Sequence, residues 1–301
     1  MTLLTIFSAP KAFSDAHIAL IQTNAIESWK RLPDAEILLL GDEAGLSERA
    51  AAIGVRHIPE VARNEKQTPL ISSMFEQARR NSTSPLLCIV NSDIILMQDF
   101  MEAVGKVVSL TARFLLFSRR WDAHIEQPQD FSEGWQDRLR GYAHSKGHLH
   151  RPRGSDYFVF PRECFAHVPA FAIGRAGWDN WMIYQALQEK LKVIDATPSV
   201  CVIHQEHGYG HLPGGKAHHA LPETDANIRM AGGQAAIRYT PVDANYWLLD
   251  GRLLPPAWSR ARALRVLELF LRRLLSFLPE RQIESVVRPR RWWKRLRRLF
   301  R

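Results

Sequence analysis

Cysteine is scarce in this chain. Cys88, Cys164 and Cys201 are the only three in 301 residues, each in apolar surroundings, and no pair has CxxC or CxH spacing. That pattern argues against a secreted disulfide scaffold and predicts buried free thiols in a reducing compartment. Long apolar runs are absent too. No stretch reaches 18 apolar residues without a charge, so no transmembrane helix is expected. The opening Met1-Thr2-Leu3-Leu4-Thr5-Ile6-Phe7 lacks a basic flank and stays apolar only briefly before Pro10 and Lys11, which reads as a buried strand and not a signal peptide. No internal repeat occurs at any plausible period. With 46% hydrophobic and 24% charged residues, a mainly disordered or collagen-like chain is excluded as well.

What the chain does have is an uneven charge. The formal total is +9, yet residues 257–301 hold 14 basic residues against Glu268, Glu280 and Glu284, a net of +11, which leaves −2 for the rest. Any polyanion or membrane contact therefore belongs to the last 45 residues, and the body is near neutral.

The first half alternates short apolar runs with amphipathic helical patterns, the signature of an α/β unit around a mostly parallel buried sheet. Strands are expected at 3–8, 36–40, 55–58 and 86–90, with helices at 16–30, 46–53 and 69–81. In such sheets ligands bind outside the carboxyl ends of the strands. Ser8, Asp42 and the triplet Asn91-Ser92-Asp93 all fall at such ends and are candidates for one cleft. The second half is less regular. Strands are expected at 114–118, 156–161, 193–195 and 200–203, the last ending at His204, and a helix at 179–189 after the turn Gly174–Trp178. Residues 122–151 read as a long polar loop holding one helix, and 204–219 as a His- and Gly-rich loop.

Asp93 follows the apolar strand Leu86-Leu87-Cys88-Ile89-Val90 and precedes Ile94-Ile95-Leu96. A desolvated carboxylate there needs a cation or several donors, so it is either a cap for the next turn or a ligand for a divalent ion shared with a bound diphosphate. Asp179, between Trp178 and Trp181, is either an N-cap or a general base in an apolar wall. His204 is either a structural histidine or a metal ligand through a neutral imidazole.

Taken in order, these segments resemble the GT-A fold glycosyltransferases, the nucleotide-diphospho-sugar transferase superfamily, over residues 1–211. Val90-Asn91-Ser92-Asp93 matches the DxD-type metal motif, with a neutral Asn91 where most members carry a carboxylate. Gly154-Ser155-Asp156-Tyr157-Phe158-Val159-Phe160-Pro161-Arg162 matches the strand shaping the sugar pocket, Trp178-Asp179-Asn180 the acidic motif at a helix start, and His204 the late histidine of the metal sphere. The resemblance implies an α/β fold with a Rossmann-like mixed sheet flanked by helices, a nucleotide-binding half over 1–97 and an acceptor and catalytic half over 98–256. It implies a metal-dependent, hexosyltransferase-like and inverting enzyme using Mn²⁺ or Mg²⁺ and a nucleotide-sugar donor. Asp179 would be its base, and Asp93 and His204 its metal ligands. Ser8, Asp42, Lys66, Thr68, Asn91, Asp93, Asp156 and Trp178 would contact the donor.

Two other function classes fit parts of the chain. His204-x-x-His207 with His211 has spacing usable by a zinc hydrolase, although the Gly-rich segment lacks a helical frame. The basic tail alone admits nucleic-acid binding, but the body has no recognised motif, so no nucleic-acid partner is expected. Residues 257–301 instead read as two amphipathic helices, the first over 261–278, ended by Pro279. The second carries Trp292, Leu296, Leu299 and Phe300 among dense arginines, the composition of a segment lying in an anionic membrane interface. The expectation is a cytoplasmic enzyme held on the inner face of the cytoplasmic membrane, acting on a glycan or lipid-linked acceptor in surface polysaccharide or glycolipid assembly.

Overall fold

The apolar runs become the centre of one large sheet in the computed structural model, which describes residues 2–208 and 221–287. Strands β1 (Leu4–Ser8), β2 (Ala35–Leu40), β3 (Arg56–Ile58) and β4 (Leu86–Val90) alternate with helices α1 (Ala16–Lys30), α2 (Leu46–Ile53) and α3 (Ile71–Arg80). All four strands run parallel in the order β4-β1-β2-β3. β1 and β4 are buried from end to end, as parallel strands covered on both faces must be. Helix α1 starts where the Asp15 carboxylate accepts from the Ile18 amide at 2.8 Å. It buries Ile21, Ala25, Ile26 and Trp29, and the Trp29 indole donates to the Ile94 carbonyl at 2.8 Å. That bond fixes the stretch just beyond Asn91-Ser92-Asp93.

Farther along come β5 (Ile94–Ile95), α4 (Gln98–Leu110), β6 (Phe114–Phe117), β7 (Arg120–Ala123), α5 (Trp135–Lys146), β8 (His148–Leu149) and β9 (Tyr157–Pro161). They are followed by α6 (Trp178–Gln188), β10 (Lys192–Asp195), β11 (Val202–Gln205), α7 (Pro222–Met230), β12 (Tyr246–Leu249) and β13 (Arg252–Leu254). The large mixed sheet has the order β13-β12-β10-β6-β9-β4-β1-β2-β3, with β9 antiparallel between β4 and β6. Alternate strand residues feed two cores: Leu4 and Ile6 join Ile26, Trp29 and Phe100 on one face, and Phe7 joins Phe75, Phe158 and Phe160 on the other. A second sheet, β5-β11-β7-β8, packs Ile95, Ala123 and Ile203 against Trp135, Leu139 and Ala143 of α5.

This second sheet corrects the reading of residues 122–151 as a loop with one helix. β7 (Arg120-Trp121-Asp122-Ala123) and β8 (His148-Leu149) are too short for their alternation to stand out, and they form because β11 and each other supply backbone partners. The strand expected to stop before His204 runs on to Gln205, so His204 lies within it, level with Ile94 on one side and Asp122 on the other.

The chain forms two compact units, Met1–Pro256 and Ala257–Arg301. In the second, α8 (Arg260–Leu274) begins at Ser259, whose hydroxyl accepts from the Arg262 amide at 3.1 Å, and α9 (Glu280–Val287) follows. Arg272 joins the two by bonding Glu268 and Glu284 at 3.1 and 3.0 Å. Leu264, Leu267, Phe270, Leu274 and Phe277 are exposed. The first tail helix is shorter than expected, stopping at Leu274, and the expected helix around Trp292 lies outside the described residues, as do His211, His218 and His219. Among the described residues no helix is long and apolar enough to cross a membrane.

Candidate active site and metal centre

The metal corner is built at the end of β4. The buried Ser8 hydroxyl donates to the Val90 carbonyl at 2.6 Å and shares a hydrogen bond with Ser92 at 2.9 Å, which pins the turn that presents Asp93. Oδ2 of Asp93 lies 3.0 Å from Nε2 of His207 and 3.8 Å from Nε2 of His204. Its Oδ1 is buried and has no hydrogen-bond partner among the described residues. Burial alone would raise the Asp93 pKa, but His204, the His207 hydrogen bond and Lys11 outweigh it and hold the carboxyl well below its usual range. His204 is shifted upward: burial opposes its charge, and Asp93 and Asp122 more than compensate. One ligand atom from each of Asp93, His204 and His207 falls within 4.8 Å of the others. A buried, unpartnered carboxylate oxygen facing two imidazole nitrogens is a donor set that fits a divalent cation. A cavity of about 550 Å³ beside it is lined by His17, Arg120, Asp122, His204, Glu206 and His207, among others.

The second corner is built where β9 and α6 begin. The Asn91 amide donates to Asp156 Oδ1 at 3.0 Å, the same oxygen takes a bond from Arg120 at 2.5 Å, and the Asn91 backbone amide donates to the Asp156 carbonyl at 2.8 Å. Asp179 stands in the first turn of α6, which starts at Gly177 with a left-handed φ of 110°. A Cβ on Gly154 would sit 2.3 Å from Asp179 Oδ2, so any other residue there would have to displace this carboxylate from where it stands. Desolvation, with a further contribution from Asp156, pushes the Asp179 pKa up to about 6, against the lowering effect of nearby backbone amides. Asn180 holds the neighbouring loop by donating to the carbonyls of Arg153 and Tyr239 at 2.8 and 2.5 Å.

No family model and no curated protein matches this sequence. Solved structures do match. A fragment of S. aureus TarS crystallised with UDP-GlcNAc superposes with a TM-score of 0.51 at 11% identity, covering 96% of this chain and 76% of that one. Glucosyl-3-phosphoglycerate synthase from Mycobacterium tuberculosis matches with a TM-score of 0.47 at 15% identity, over 79% and 80% of the two chains. The mannosyltransferase PcManGT from Pyrobaculum calidifontis, solved with GDP-Man and Mn²⁺, gives 0.42 at 14%, over 68% and 56%. The fold is that of the GT-A glycosyltransferases.

Within that GT-A frame the expected site residues separate into groups. Ser8, Asn91, Asp93, Asp156 and His204 are joined by the contacts above or by the ion pairs of Arg120, and Asp179 lies close enough to Asp156 to feel its charge. Asp42 is exposed and paired with Arg63. Lys66 is exposed on the following loop, its backbone amide held by Asn64 Oδ1. The Thr68 hydroxyl donates to Glu223 at 2.7 Å, in a cluster that also binds Asn64 and Arg175 to the same carboxylate. Trp178 is buried, with its ring edge-on to Phe158, so its indole is core. Four participants escaped the transferase reading of the sequence. His207 is visible only through its HxxH spacing, which pointed to zinc. Lys11, Arg120 and Asp122 have no local signal, because only the strand pairings bring them in.

Proposed function

We propose that the protein is a metal-dependent glycosyltransferase that moves a hexose from a nucleoside-diphosphate donor to an acceptor hydroxyl, with inversion. The observation that carries the reading is the pair of oppositely tuned carboxylates on a GT-A fold: Asp93 held well below its usual range beside two imidazoles, and Asp179 raised to about 6 where it packs against Gly154. Asp93, His204 and His207 are the residues to hold a divalent ion, which when bound supplies Lewis-acid neutralisation of the leaving diphosphate. Two imidazoles with one carboxylate suit Mn²⁺ better than Mg²⁺, which prefers all-oxygen octahedra. Asn91, engaged by Asp156, is assigned to the donor-sugar side together with that acid. Asp179 accepts the proton of the attacking hydroxyl. Ser8 is assigned to securing the metal turn, and Asp42, Lys66 and Thr68 to the nucleotide side.

The +11 tail and the exposed Leu264, Leu267, Phe270, Leu274 and Phe277 support an acceptor met at an anionic membrane surface, on the cytoplasmic face, as in surface polysaccharide or glycolipid assembly. Each basic residue near such a surface contributes about 1 kcal/mol. The test is nucleoside-diphosphate release from a panel of nucleotide sugars with Mn²⁺ and extracted lipid acceptors. Release that requires Asp93 and Asp179 supports the reading, and release indifferent to both overturns it. Deleting residues 288–301 should shift the protein from membrane to soluble fractions; unchanged fractionation removes the membrane assignment. A zinc hydrolase stays in view as a second reading because Asp93, His204 and His207 also suit zinc.

A further inference from the structure

We propose that Asp122 is a positioning residue for the metal site: it holds His204 in the tautomer protonated on Nδ1, so that Nε2 keeps its lone pair for a metal beside Asp93. The inference rests on the metal reading given above and adds a residue outside the three candidate metal ligands. Asp122 is buried on β7, and its register partner across the parallel pairing with β11 is His204 itself. Its Oδ1 accepts from His204 Nδ1 at 2.9 Å and from Arg120 Nε at 2.8 Å. Its Oδ2 accepts from His150 Nδ1 at 2.6 Å and faces His148 Nε2 at 3.4 Å.

An ionised carboxylate can only accept, so the ring nitrogen it touches must be the one bearing hydrogen. In a neutral His204 that leaves Nε2 bare, and Nε2 is the atom turned to Asp93 Oδ2. A carboxylate behind a ligating imidazole fixes ring orientation and raises ligand basicity, and its loss weakens metal affinity about 10- to 100-fold.

Arg120 extends the role. One guanidinium bonds Asp122 through Nε and Asp156 through Nη1, so the orientation of His204 is tied to the acid that binds Asn91 on the other side of the site. A carboxylate that served only to seam β7 to β11 would need none of this: the backbone ladder already pairs Val202–Gln205 with Arg120–Ala123.

Two measurements test the role without using turnover. In the ¹⁵N-histidine-labelled full-length protein at about pH 9, where an ordinary imidazole is neutral, the His204 ring should show Nδ1–H and a bare Nε2, with His204→Gln assigning the signal. Calorimetric titration of Mn²⁺ alone into wild type and Asp122→Asn should show affinity reduced about 10- to 100-fold in the variant. An Nε2–H tautomer in wild type, or equal Mn²⁺ affinity in a folded Asp122→Asn protein, overturns the role of Asp122 and leaves the metal reading standing. No Mn²⁺ binding by wild type overturns the metal reading and the role with it. The tautomer measurement needs no variant at Asp122, so it decides the matter even if Asp122→Asn fails to fold.

Discussion

Two corners of one cleft treat the same side chain in opposite ways. At the end of β4, Asp93 is desolvated but surrounded by His204, His207 and Lys11, and the cations win. At the start of α6, Asp179 is desolvated with Asp156 as its charged neighbour, and burial wins, raising it to about 6. Asp93 follows the end of an interior strand, β4, and Asp179 stands in the first turn of α6. What separates the two acids is therefore the charge of the neighbours: His204 on β11, His207 just after it and Lys11 after β1 surround Asp93, whereas Asp179 has the acid Asp156.

Removing each acid should break this contrast in a different way. Asp93→Ala should abolish Mn²⁺ binding and lower turnover by about 10⁴-fold, since several kcal/mol of leaving-group stabilisation go with the ion. Calorimetry and a product assay check both losses. Asp179→Asn should lower kcat about 10³-fold as a lost general base while Mn²⁺ affinity stays within about twofold. If metal affinity falls in parallel, the two corners are not separate.

Gly154→Ala should lower kcat by about 10- to 100-fold, because the new methyl occupies the place of Asp179 Oδ2 and displaces the carboxylate without changing its chemistry. Circular dichroism should show the fold unchanged. In wild type, kcat/KM should rise with pH through an acid limb near 6 and level off above it, since the base works only when ionised. A limb near 4, the ordinary carboxylate range, would remove the case for a desolvated base.

The smallest effect concerns stability. Asp179 has a folded pKa above its unfolded value, so its ionisation destabilises the fold, a cost that is absent below about pH 4 and fully developed above about pH 6. Asp179→Asn should consequently be about 1–2 kcal/mol more stable than wild type at pH 8, after allowance for the partial solvent contact of this group, and equal to it at pH 3. Thermal unfolding at the two pH values checks the sign.

How much of this was legible in the sequence depends on the range of the interactions. α1 and α2 have the bounds that apolar spacing predicts, and β1, β2 and β4 follow from largely apolar runs, because local burial dictates both. Asp93, Asp179 and His204 could be singled out because each stands against an apolar background. Asp122 and Arg120 could not, since a four-residue strand of two polar and two apolar residues carries too little pattern to be read until β11 lies beside it. His207 was noticed for its spacing and assigned to another chemistry. Trp178, which the resemblance implies as a donor contact through the Trp178-Asp179-Asn180 motif, turns its ring inward onto Phe158.

The most direct test of the account is a thermal-shift titration of the full chain with nucleotide sugars, in parallel with and without Mn²⁺. One donor class should raise the melting temperature only when Mn²⁺ is present, and Asp93→Ala should abolish the shift. Tightly bound zinc together with no response to any nucleotide sugar would contradict it and favour the hydrolase.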